Sequence, residues 1–136
     1  MPERARTMWM LLFAIAALGG CGGHKSLTET ASDYERGVAK RIKRAVDDDD
    51  RRDTLLRLER EVNAHRLQIE RLYVDLGKKI RENPDLTPAQ IKALTDGFSA
   101  DRKQLLLDIG GFRMEMREHA TPEEWQKIFP PEEIDR

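Results

Sequence analysis

The chain has 136 residues, of which 24 are Lys or Arg and 25 are Asp or Glu, for a net charge of −1. That balance gives no steering toward nucleic acid, and a single cysteine excludes a disulfide within the chain. A charged fraction of 36% beside an aromatic fraction of 6% suits extended helices better than a thick globular core.

The first element is an address. Arg4 and Arg6 precede an apolar run from Met8 to Leu18, and Gly19, Gly20 and Cys21 follow. A basic start, an apolar middle and small residues at the end are the plan of a secretory signal. The run of eleven residues rises about 16 Å as a helix, roughly half the hydrocarbon thickness of a bilayer, and no basic stop follows it. Leu18-Gly19-Gly20-Cys21 resembles the bacterial lipobox. The resemblance implies that residues 1–20 are a cleaved signal peptide and that Cys21 is acylated. The mature chain is then a lipid-anchored envelope protein, on the outer membrane facing the periplasm if the host is Gram-negative. Cleavage there leaves 116 of the 136 residues and, because Arg4, Arg6 and Glu3 depart together, moves the net charge from −1 to −2.

Residues 21–31 are rich in Gly, Ser and Thr and read as a flexible tether, with a helical domain over 32–136. Ser32-Asp33-Tyr34-Glu35 has the form of a capping box. It predicts a helix from about 33 to about 82, broken near Asp47–Asp53, where Asp50 can cap a restart. Asn83-Pro84-Asp85 ends that helix, since the residue before proline disfavours helical geometry. Thr87 then suits an N-cap, Pro88 the first helical position and Gln90 the return bond of a capping box, with Leu86 and Ile91 placed as a hydrophobic staple. That helix should reach about Glu118. Thr121-Pro122-Glu123-Glu124 repeats the chemistry and starts a short helix that Pro130-Pro131 ends.

Leu55, Leu58, Val62, His65, Ile69, Leu72 and Leu76 follow alternating steps of three and four. Ile91, Leu94, Phe98, Leu105, Ile109, Phe112 and Met116 keep the same rhythm, with one position skipped at Asp101–Arg102. Two narrow apolar seams joined by a tight turn predict an all-α fold: a long antiparallel helical hairpin plus a short C-terminal helix, extended rather than globular. The second long helix is too short to pair with anything before about residue 51. Tyr34, Val38 and Ile42 are therefore expected to seek a protein partner, most simply a second copy of the chain. The short helix carrying Trp125, Ile128 and Phe129 either folds back over the hairpin or joins that contact.

Leu86-Thr87-Pro88-Ala89-Gln90 matches the LTxxQ motif and resembles the Spy/CpxP-type periplasmic proteins, and Ala120-Thr121-Pro122-Glu123-Glu124 looks like a decayed second copy. The resemblance implies a small, exported, non-enzymatic helical protein, and a dimeric cradle that holds unfolded clients. Its surface would take in Phe98, Leu106, Phe112, Met114 and Met116, rimmed by Arg102, Lys103, Arg113 and Arg117. Read as residues alone, Phe98, Phe112 and Met116 are seam positions.

Other motifs are weaker. Met114, Met116 and His119 have soft-ligand spacing for copper, but Met116 falls on the seam and His119 in a last helical turn, so no metal and no cofactor are expected. His65 sits at a seam position and reads as a core or interface histidine. Arg36, Lys40, Arg41, Lys43 and Arg44 can rest on anionic headgroups near a lipid anchor or form a solvated face, with Asp47 and Asp48 spaced to pair with Arg51 and Arg52. Gly110-Gly111 implies a bend or the close approach of another backbone. No phosphate loop, no nucleophile beside a histidine and no zinc-spaced histidine pair is present, so catalysis is not expected. The function expected is a lipid-anchored, non-enzymatic binding or chaperone-like accessory module. The alternatives are a structural or assembly subunit of an envelope complex and, more weakly, a metal-responsive sensor.

Overall fold

The computed structural model describes residues 27–131, so Cys21, residues 1–20 and most of the expected tether lie outside it. Within those residues the chain is all-helical: α1 (Leu27–Ala45), α2 (Asp49–Glu82), α3 (Pro88–His119) and α4 (Pro122–Ile128). No described helix is long and apolar enough to cross a membrane.

The caps follow from local chemistry. Thr87 accepts a bond from the Gln90 amide (3.2 Å) while Gln90 Oε1 accepts one from the Thr87 amide (2.8 Å). Thr121 and Glu124 repeat this pair at α4 with the same two distances. Between α2 and α3, the Leu86 amide donates to the Asn83 carbonyl across a turn whose second residue is Pro84, which the ring's fixed φ suits. Asn83 Nδ2 donates to the Lys79 carbonyl at 2.7 Å and covers one of the orphan acceptors at the end of α2.

Two expectations at the start of the chain are corrected. Helix α1 already runs from Leu27, so the last part of the expected tether is helical and Ser32 lies inside a helix rather than capping one. Leu27 to Ala31 contains no Gly or Pro and includes Glu29 and Ala31, good helix formers, so nothing stops the helix from extending through it. The break falls at residues 46–48, and the cap of α2 is Asp48, whose Oδ1 accepts the Arg51 amide at 2.8 Å. Asp50 is within the first turn instead.

The hairpin is as the seams predict: α2 and α3 pack along their length, with rings meeting at His65–Phe112 (5.1 Å) and Tyr73–Phe98 (4.7 Å). The larger correction concerns α1. It turns back at 46–48 and lies antiparallel on α2, with Tyr34 under the Arg66 guanidinium, and α4 packs against it. Val38, Ile42 and Val46 join Leu55, Leu58, Met116 and Ile128 in one fully buried cluster. The face expected to need a second chain is covered from within, because α2 offers α1 a flank beside its α3 seam. Each such side chain contributes about 1.5–3 kcal/mol by leaving water.

Arginines fasten this end. Arg51 forms a two-pronged bond to Glu124 at 2.8 and 3.0 Å and donates to the His119 carbonyl at 3.3 Å. Arg41 Nε donates to the Ile128 carbonyl at 2.7 Å. Arg113 pairs with Glu59 at 2.5 Å and lies 4.5 Å from the Phe129 ring centre, while Arg117 lies over Trp125. Four helices therefore meet at one end of the molecule. Among the described residues, the other end is formed by α2 and α3 alone.

Candidate functional site

Burial changes sharply along the hairpin. Leu55, Leu58 and Val62 are fully buried, as is Met116 opposite them. No residue from Asn63 to Glu115 is. Ile69, Leu72, Leu76, Leu94, Phe98 and Leu105 carry on the same seam but stay half-exposed among the described residues. Three stretches of sequence produce this: α1 ends the cover on one flank, α4 is only seven residues long, and α2 and α3 are about 50 Å rods.

One flank of the arm carries a groove. Its two adjoining depressions, about 430 and 210 Å³, share Leu72 and Asp101. The floor is Leu72, Leu76, Leu94, Phe98 and Leu105, and Gln68, Arg71, Asp75, Lys79 and Gln104 stand at the rim. Ala93 and Gly97 keep the α3 wall low, and the site where a Gly97 Cβ would stand faces open space. The cause of the depression is the skipped apolar position. Where the α3 rhythm would place a leucine opposite Leu72, the chain has Asp101, whose exposed side chain cannot fill the seam. Arg66, which covers Tyr34 of α1, and Gln68 at the rim are two residues apart, about 200° around the helix, so the groove lies on the side of α2 away from the α1 contact.

The residues singled out from the sequence divide. Val38, Ile42 and Met116 are fully buried core and offer no open surface, while Phe112 and Trp125 pack against that core and stay partly exposed. Tyr34 is 36% exposed beneath Arg66, and Met114 is 71% exposed. Phe98 alone of the set both packs in the seam and lines the groove. Met114 and Met116 point to opposite sides of α3, and Arg113 Nη1 donates to Met116 Sδ at 3.3 Å, so the soft-ligand trio does not converge. Among the described residues no group of three or more His, Cys, Asp or Glu is placed to hold a metal ion. His65 Nδ1 lies 2.8 Å from the Glu61 carbonyl and its Nε2 lies 3.8 Å from Asp108, an interface position as its spacing suggests.

Two carboxylates at the closed end are perturbed in opposite senses. Burial pushes Glu59 above the usual carboxylate range, and the Arg113 guanidinium only partly offsets it. The bond from Arg51, helped by the Thr121 amide, holds Glu124 below that range. Both serve packing rather than an open cleft.

The rim residues Gln68, Arg71, Asp75, Lys79, Asp101 and Gln104 were not singled out from the sequence. The signal for them was the missing apolar step at Asp101–Arg102. No family model, curated protein or solved structure matches the chain.

Proposed function

We propose that the protein is a lipid-anchored, non-enzymatic binding module of the cell envelope whose ligand is an apolar segment of another polypeptide. The observation that carries this reading is the open seam of the arm: a row of leucines and a phenylalanine on two well-capped helices, half-exposed over roughly twenty residues of each helix. Helix-in-groove and chaperone-like contacts use such a floor, and the mixed charges of Arg71, Asp75, Lys79 and Asp101 at its edge favour no single sign of partner. The address comes from the Leu18-Gly19-Gly20-Cys21 run. The internal cover of Val38 and Ile42 removes the ground on which a second copy was expected, so a partner of different sequence is the simpler occupant.

The test is Asp101→Leu. It fills the seam, so the variant should melt higher than the parent while losing the ability to slow aggregation of an unrelated unfolded protein. Stabilisation with undiminished protection of the client would place binding elsewhere.

A further inference from the structure

We infer that the outer face of α1 is a membrane-contact surface for anionic lipid headgroups. The proposal rests on the anchored reading above and deepens it.

Arg36, Lys40 and Arg44 stand in one row at four-residue steps, with Lys43 beside them, diametrically opposite the buried row Val38, Ile42 and Val46. All four are exposed. Arg36 is answered by Asp33 at 2.8 Å. Lys40, Lys43 and Arg44 form no ion pair with any described residue.

Two of the four aspartates that follow are engaged elsewhere, while Asp47 and Asp50 form no ion pair with any described residue. Asp48 caps α2 and faces Arg51, Asp49 pairs with Arg52, and Arg52 also donates to the Val46 carbonyl. Like charges four apart disfavour a helix by a few tenths of a kilocalorie per mole. Lys43 and Arg44 suit the C-terminal end of the α1 dipole, but Lys40 and Arg36 lie too far back to benefit. The row is a cost within the chain that an external negative surface would repay.

Position supplies the second argument. Leu27 is six residues after Cys21, a span of at most about 21 Å when fully extended. A lipid on Cys21 therefore keeps the start of α1 close to the headgroups whatever path the intervening residues take. With α1 lying flat, the cations reach the surface together. Three such charges at an anionic membrane favour that pose on the order of a hundredfold. The groove, on the flank of α2 away from α1, then faces outward from the bilayer.

The test uses the full chain, extracted from membranes and reconstituted into phosphatidylcholine vesicles with or without phosphatidylglycerol. Acylation of surface lysines is then followed by mass spectrometry. Lys40 and Lys43 should become several-fold less reactive only in the anionic vesicles, while Lys79 at the groove rim stays unchanged. Salt of about 1 M, which cuts the screening length to about 3 Å, should restore their reactivity. The Arg36→Gln/Arg44→Gln variant keeps both lysine reporters and should lose most of the protection. A lipidated Cys21 with equal labelling in both vesicle types would overturn the contact while leaving the anchor intact. An unmodified Cys21 in the same spectra would remove the anchored reading and this proposal with it.

Discussion

Asp101 does at the scale of a single residue what no capping box or seam residue does: it leaves a gap in an otherwise regular apolar row. Replacing it with leucine should stabilise the chain by roughly 1 kcal/mol, read as a higher melting temperature, because the new side chain covers Leu72 and Leu105. Ile42→Ala belongs to the other extreme. Its side chain is fully buried where α1, α2 and α4 meet, so truncation should cost about 2–5 kcal/mol in urea unfolding. Titration of the closed end has two opposed parts. Glu59 has its folded value raised, so its stabilising contribution is present at low pH and is lost as pH rises through that value. Glu124 has its folded value lowered, so its contribution is present above the unfolded value and is lost as pH falls through the folded one. The urea midpoint of the parent should therefore gain on that of Glu59→Gln as pH falls through the raised value. Parallel curves would show that Glu59 titrates normally.

Among elements, the starts and stops of α3 and α4 were legible because each rests on side chain to backbone bonds within four residues: Thr87 with Gln90, and Thr121 with Glu124. The hairpin was legible from two seams in matching rhythm. The start of α1 was not, since Ser32-Asp33-Tyr34-Glu35 carries the letters of a cap inside a helix that has already begun. Nor was the return of α1 onto α2. That contact is made by a second flank of α2, carrying Arg66, whose polar letter conceals it until Tyr34 is seen opposite. The groove was half-legible, as a skipped position without a meaning attached. The glycine pair in α3 also changes sense. A Cβ at Gly110 or Gly111 would meet nothing within 4 Å, so no backbone of the described residues approaches there. Gly110→Ala and Gly111→Ala should each stabilise α3 by about 0.5–1 kcal/mol, measured as a shift in the denaturation midpoint. Destabilisation by either would mean that the helix needs the freedom those glycines give.

The whole molecule is sealed at one end and open at the other. Where α1, α2, α3 and α4 converge, Val38, Ile42, Leu55, Leu58, Met116 and Ile128 exclude water, and arginines tie helix ends together. Beyond Val62 the hairpin continues with a shared α2–α3 seam that stays half-exposed among the described residues. Such an arm opens locally at lower free energy than the sealed end, and a ligand laid along its seam would suppress that opening. Hydrogen exchange on the full chain, alone and with an unfolded client protein, measures both. Backbone amides of 69–80 and 91–105 should exchange faster than those of 55–62 and 112–118 in the free protein, and should slow selectively when the client is added. Uniform protection along the hairpin, or a client effect confined to the sealed end, would contradict the account.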